Sequence, residues 1–299
     1  MTVIRANLIL LLTAFIWGIS FIFQKDAMEY MGPFSFNAFR FLLGGLVLLP
    51  LISWRNKRKH KTEKPFSPAT IKGAFLAGAL IFFGAGFQQY GIQYTTIGNT
   101  GFITGLYIVF VPIISIFMGQ RYGHGIWFAV AIACLGLYLL SDMNGLAMAR
   151  GDFLVLLGSV FWAFHVIVIG HMAKRHDQIK FAALQFFACA AFSYLAALYM
   201  GDKVMLLTFD EWKWIIISGI LAIAFGYTLQ VIGQTTSPPA QAAVIMSLEA
   251  VFAAIAGYFY YGEILELRAL IGCALMFAGC LLTQRYHPLP TNNAIRDNI

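Results

Sequence analysis

Asn7-Leu-Ile-Leu-Leu-Leu-Thr-Ala-Phe-Ile-Trp17 returns 145 residues later as Asp152-Phe-Leu-Val-Leu-Leu-Gly-Ser-Val-Phe-Trp162. Both stretches are apolar runs ending on tryptophan, and the offset is close to half of the 299 residues. The echo continues at the same offset, where Ala38 meets Ala183 and Phe41 meets Phe186. At an offset of 142, Leu106 meets Leu248, Val109 meets Val251 and Phe110 meets Phe252; at 143, Ala131 meets Ala274, Gly136 meets Gly279 and Leu139 meets Leu282. Single apolar matches mean little, but an ordered series along the whole chain reads as an internal repeat.

The solvent for this chain is lipid. Hydrophobic residues make up 60% and charged residues 11%, with a mean hydropathy of +0.76. A soluble domain is roughly half apolar and about a quarter charged. Apolar segments long enough to span a bilayer fall at 7–24, 34–53, 70–90, 97–118, 124–141, 152–170, 180–200, 212–232, 240–260 and 266–284. The first reads as a retained span, since Arg5 and its apolar run lead into no small-residue cleavage site. The four cysteines all lie in apolar runs without CxxC spacing, so neither a disulfide framework nor a metal site is expected.

Ten spans with five per copy make the second copy upside down relative to the first, an arrangement common in secondary transporters. The expected fold class is therefore all-α: a polytopic membrane protein of ten transmembrane helices in two inverted five-helix repeats, residues 1–146 and 147–299. Lysine and arginine divide 14 to 5 between the two sides, which places both termini in the cytoplasm. The +7 net charge sits in short loops and does not indicate nucleic acid.

Ionisable residues at membrane depth are functional candidates by default. Glu249 falls near the middle of the ninth segment, His165 near the middle of the sixth and Arg40 in the second. Glu249 is a candidate substrate or proton site and His165 a candidate for proton coupling. Arg40 reads as a structural charge that snorkels outward or pairs with a carboxylate. Uncharged polar groups gather nearby: Gln88, Gln89 and Tyr90 end the third segment, while Thr100, Thr104 and Tyr107 share one helical face of the fourth. With Trp17, Trp162, Gln185, Tyr194, Tyr227 and Gln230 they are expected to line an aromatic-rich central cavity. Pro112 predicts a kink in the fourth segment, and Gly84, Gly86 and Gly91 predict a loosened end to the third. HExxH, GxSxG and DxD-type clusters are absent, so an enzyme is not expected. A channel would need a continuous polar pore, and the inverted repeat favours a carrier.

These residues resemble the EamA-like branch of the drug/metabolite transporter superfamily. The resemblance rests on Ala14-Phe-Ile-Trp-Gly18, Arg40-Phe41, the run from Phe102 to Pro112, Ser247-Leu-Glu-Ala-Val-Phe-Ala253 and Tyr261-Gly-Glu263. Ala250 stands where family members often carry proline, and Gln120 where the first repeat often carries glutamate. The resemblance implies a metabolite exporter of the bacterial inner membrane, working by alternating access. Phosphorylated substrates would need clustered cations, and only Arg40 is available. An amino acid or a related zwitterionic, cationic or aromatic solute is the expected substrate, contacting Trp17, Tyr90, Thr100, Thr104, Tyr107, Trp162 and Glu249. The expected partners are the bilayer, the small-molecule substrate and protons, with a homodimer as an option, and neither a cofactor nor nucleic acid.

Overall fold

The structure is a computed structural model describing residues 1–58, 67–140, 150–202, 208–262, 264–283 and 285. Lys59, Lys61, Lys64, Lys203, Glu263, Arg296 and the boundary between residues 146 and 147 lie outside the described residues. All regular structure described is helical, in ten spans. Spans one to three are α1 (Val3–Asp26), α2 (Pro33–Arg58) and α3 (Pro68–Gly91). Span four is α4 (Ile97–Gly105) followed by α5 (Tyr107–Phe117), and span five is α6 (His124–Leu140). Spans six and seven are α7 (Arg150–Met172) and α8 (Gln178–Met200). Span eight joins α9 (Phe209–Ile217), a π-helical stretch (Ser218–Tyr227) and α10 (Thr228–Gly233). Span nine is α11 (Pro239–Met246) with α12 (Glu249–Tyr261), and span ten is α13 (Leu267–Thr283). Eight spans are 21 to 27 residues long. Spans five and ten have 17 residues each, just under the length that crosses a bilayer untilted.

Local chemistry sets the turns. Ser67 accepts from the Thr70 amide (3.2 Å) and Pro68 supplies the first helical position of α3. Thr96 caps α4 through the Asn99 amide (3.1 Å), and Asp177 caps α8 through the Ile179 and Lys180 amides (3.1 Å each). Asp202 reaches from the end of span seven to cap α2, accepting from the amides of Phe34 (2.8 Å) and Ser35 (3.1 Å). Gly201 and Gly262 close α8 and α12 at φ of 64° and 68°, where a Cβ would be strained.

Two spans are broken in the same place. The Leu106 amide bonds the Ile103 carbonyl at 3.2 Å, and the Val109 amide bonds Leu106 at 2.9 Å. In span nine the Leu248 amide bonds Ile245 at 3.3 Å, and the Ala250 amide bonds Ser247 at 3.1 Å. Both breaks replace four-residue spacing with three-residue spacing, a tighter turn that re-aims the helix. Leu106 and Leu248 are the 142-offset pair. Pro112 lies inside α5 and the break falls at Leu106; proline does not account for that break, because span nine also breaks at the matching Leu248 with Ala254 in the proline's place. The expected loosening of span three is also corrected: α3 runs unbroken to Gly91. Its glycines are contact points, Gly84 under the Trp162 ring, Gly86 beside Phe34 and Gly91 against the Gly151 carbonyl.

Packing follows the repeat. Span one lies against spans eight and nine, and span six against their counterparts three and four; span two packs on seven, four on nine and five on ten. The crossing of spans five and ten gives the register residue by residue. A Cβ on Gly136 would lie 2.6 Å from the Gly272 carbonyl oxygen, and one on Gly279 would lie 2.9 Å from that of Ala129. At the 143 offset each contact is the image of the other, as an antiparallel crossing on a two-fold axis requires. Association in lipid depends on such close backbone approach, because apolar side chains gain little by leaving lipid for protein. Large apolar side chains such as Phe117, Tyr199 and Phe259 stay exposed on the outside, where lipid is their solvent.

Candidate functional site

Spans one, two, three, four, six, eight and nine enclose a central cavity of about 40 Å³. That volume holds a few waters and no solute of amino-acid size. Its wall is made largely of repeat-related pairs: Trp17 with Trp162, Ser20 with His165, Phe21 with Val166, Gln88 with Gln230, Thr104 with Met246 and Tyr107 with Glu249. The cavity therefore sits on the pseudo-two-fold axis. The supporting contacts are paired too. Trp162 rests on Gly84 and Trp17 on Gly226, whose Cβ positions would lie 3.0 Å and 2.5 Å from the indoles. Gly158 packs on the Gly84 carbonyl, and at the same place in the first repeat the Thr13 hydroxyl reaches the Gly226 carbonyl at 3.5 Å.

The breaks in spans four and nine aim into this cavity. Tyr107 is the first residue of α5 and Glu249 the first of α12. Each side chain is 3% exposed. The Tyr107 hydroxyl lies within electrostatic reach of the Glu249 carboxyl. The two do not meet strict hydrogen-bond geometry, and both the hydroxyl and Oε1 of Glu249 are buried without a partner. The two groups are neighbours, not a bonded pair. A carboxylate at the start of a half-helix is favoured by the helix dipole.

On one wall a polar chain links spans one, three, four and six. The Trp162 indole donates to Gln88 Oε1 (2.9 Å), which also accepts from the Thr104 hydroxyl (3.5 Å). Gln88 Nε2 donates to Gln24 Oε1 (3.4 Å), Gln24 Nε2 to the Ser20 hydroxyl (3.1 Å), and that hydroxyl to the Trp17 carbonyl (2.7 Å). The Trp17 indole donates to the Ala222 carbonyl (3.1 Å) in the π-helical stretch. Tyr227 is the aromatic hub, with ring centroids 4.7 Å from Trp17, 5.9 Å from Trp162 and 5.9 Å from His165. His165 Nε2 lies 3.1 Å from Gln185 Oε1, while its Nδ1 is buried without a partner.

Arg40 departs from its expected setting. It is 3% exposed, lines the cavity and has no carboxylate partner among the described residues. Its Nε donates to Asn37 Oδ1 (2.9 Å) and Nη1 to the Ser218 hydroxyl (3.4 Å), with the guanidinium 4.8 Å from the Phe36 ring centroid and 5.3 Å from that of Phe41. Packing against spans seven and eight holds it inside, so it does not snorkel.

Of the residues read as substrate contacts, Trp17, Thr104, Tyr107, Trp162 and Glu249 reach the cavity; Thr100 and Tyr90 do not. Thr100 turns its hydroxyl back onto the Thr96 carbonyl at 2.7 Å. Tyr90 faces a second, apolar groove of about 350 Å³ with Phe34, Phe82, Phe83, Phe87 and Arg150. Gln185 stands behind His165, and Tyr194 points outward. Ser20, Gln24 and Met246 also line the cavity without having been singled out; Ser20 and Met246 were findable as repeat partners of His165 and Thr104. Among the described residues no group of three metal-ligating side chains occurs.

The model of the EamA-like transporter family matches twice, over residues 4–142 and 149–285. An "Uncharacterized transporter" of Archaeoglobus fulgidus is 31% identical over 279 residues, spanning 93% of this chain and 85% of that protein. The "Threonine/homoserine exporter RhtA" of Salmonella typhimurium is 25% identical over 281 residues, spanning 88% and 87%. A solved structure described as "Crystal structure of protein" superposes with a TM-score of 0.75 at 17% identity, covering 94% of this chain and 96% of the other, which is a likeness of fold.

Proposed function

Because the chain belongs to the EamA-like transporter family, we propose that it carries an amino acid or a closely related zwitterionic or cationic metabolite across the plasma membrane by alternating access. Membership makes it a multi-pass transporter and not an enzyme; the substrate and mechanism are the proposal. The observation that carries it is the buried Glu249 carboxyl, whose Oε1 has no partner, on a cavity whose walls are exchanged by the repeat symmetry. A buried acid at membrane depth is costly unless it serves a solute or a proton. The exporter name of the Salmonella relative supports amino-acid cargo.

The two repeats, residues 1–146 and 147–299, act as the rocking bodies. The cavity is too small for solute in this form, so they part to load it. Trp17, Trp162, Thr104 and Tyr107 contact the solute; Glu249 and His165 couple protons. The lysine and arginine bias supports cytoplasmic termini in the bacterial inner membrane. Purified protein in liposomes should show saturable flux of threonine or another amino acid. Flux that rises linearly without saturation, or none for any amino acid, would sink this reading.

A further inference from the structure

Two opposite charges line the cavity without meeting. Arg40 and Glu249 are each 3% exposed, and no ion pair joins them. Burying an uncompensated charge is expensive, and a bilayer interior makes it more so. A protein that needed the two only for stability would pair them. Both charges are instead left open on the same space, with Tyr227 within electrostatic reach of each. Other atoms on this cavity are unmatched as well, His165 Nδ1 and Gln230 Oε1 among them, but only two groups carry charge. On the Glu249 side, Glu249 Oε1 and the Tyr107 hydroxyl oxygen are buried and without partners. On the Arg40 side the structure gives the guanidinium two hydrogen bonds of the five its N–H groups can make. Neither charge is paired with an opposite one among the described residues.

Resting on the transporter reading above and extending it, we infer that the cavity, once the repeats part, binds one zwitterion by both ends, its carboxylate on Arg40 and its ammonium on Glu249 and Tyr107. A guanidinium presents a planar fork to a carboxylate. An ammonium beside a carboxylate, with the faces of Trp17 and Tyr227 near, gains a charge-assisted hydrogen bond and cation–π attraction. Arg40 and Glu249 belong to different repeats, so the bound solute ties the two bodies together. Their repeat partners are Gln185 and Tyr107, so the site is not duplicated and each cycle takes one solute in one orientation.

The test uses the full chain in detergent with two probe series: threonine, 1-amino-2-propanol and 2,3-dihydroxybutanoate; phenylalanine, phenethylamine and 3-phenylpropanoate. In at least one series the zwitterion should bind tenfold or more tighter than both the decarboxylated amine and the deaminated acid. In Glu249→Gln the preference over the acid should vanish, and in Arg40→Gln the preference over the amine. Should Arg40→Gln fail to fold, Arg40→Lys should weaken the zwitterion at least fivefold and leave the amine unchanged. An amine or acid that binds as well as its zwitterion overturns the assignment. So does discrimination that survives both substitutions. Saturable amino-acid flux in liposomes alongside either result would leave the transporter reading standing; silence in both series and in flux would remove both.

Discussion

Trp17 and Trp162 hold the same place in the two repeats but give their indole N–H to different acceptors, the Ala222 carbonyl at 3.1 Å and Gln88 Oε1 at 2.9 Å. The first bond ends on backbone, and the second joins the Gln88–Gln24–Ser20 chain. Replacing either tryptophan by phenylalanine should cost about 1–3 kcal/mol, because each leaves a buried acceptor short of its donor. Only Trp162→Phe should couple to Gln88→Met. A double-mutant cycle on melting temperature in detergent should give at least about 0.5 kcal/mol of interaction for that pair and nearly zero for Trp17 with Gln88.

Glu249→Gln should abolish uptake driven by a pH gradient while the melting temperature moves by only a few degrees. The amide keeps the shape of the side chain and cannot exchange a proton. Uptake that retains its full pH dependence in this variant would mean the carboxyl is structural.

The crossing of spans five and ten tolerates no added carbon. Gly136→Ala sets a Cβ 2.6 Å from the Gly272 carbonyl oxygen, and Gly272→Ala sets one 2.6 Å from that of Gly136. Backbone cannot swing aside as a side chain can, so each should cost about 1–3 kcal/mol. Gly98→Ala is the control: nothing lies within 4 Å of its Cβ position in α4, and it should be neutral or stabilising by up to about 1 kcal/mol. Equal melting temperatures for all three variants would contradict the close crossing.

Asp26 at the end of α1 accepts from the hydroxyls of Tyr260 (3.0 Å) and Tyr261 (2.6 Å) at the end of α12. These bonds hold spans one and nine together at one end of the cavity, the end the charge bias assigns to the outside. Asp26→Ala should free that end. A cysteine at Ser20, in a background without the four native cysteines, should then react two- to tenfold faster with an impermeant thiol reagent added outside. An unchanged rate would show that other contacts keep the cavity shut.

The repeat was legible because identical offsets recur in order, and the ten spans because lipid demands about 20 apolar residues each time. The breaks at Leu106 and Leu248 were not, since no glycine or proline marks both; only their common position in two copies shows them deliberate. Thr100 illustrates a second limit. It shares a helical face with Thr104, yet its hydroxyl is satisfied by its own helix one turn back, a local choice that periodicity cannot foresee. Tyr90 illustrates a third: it lies two residues from Gln88, and the helix turns one to the cavity and the other to the apolar groove. The cost of a lone cation in lipid points Arg40 outward, whereas aromatic rings and neutral oxygens cradle its guanidinium inside.

The π-helical stretch Ser218–Tyr227 has no counterpart in span three, which is α-helical throughout. In a carrier made of two identical inverted halves, swapping their shapes turns the inward-facing form into the outward-facing one, and the two are isoenergetic by construction. A widened helix in one half alone lifts that degeneracy. If the repeats exchange shapes as proposed above, the two forms of this chain are therefore unequal in energy, and every 1.4 kcal/mol of that difference is a tenfold bias in occupancy.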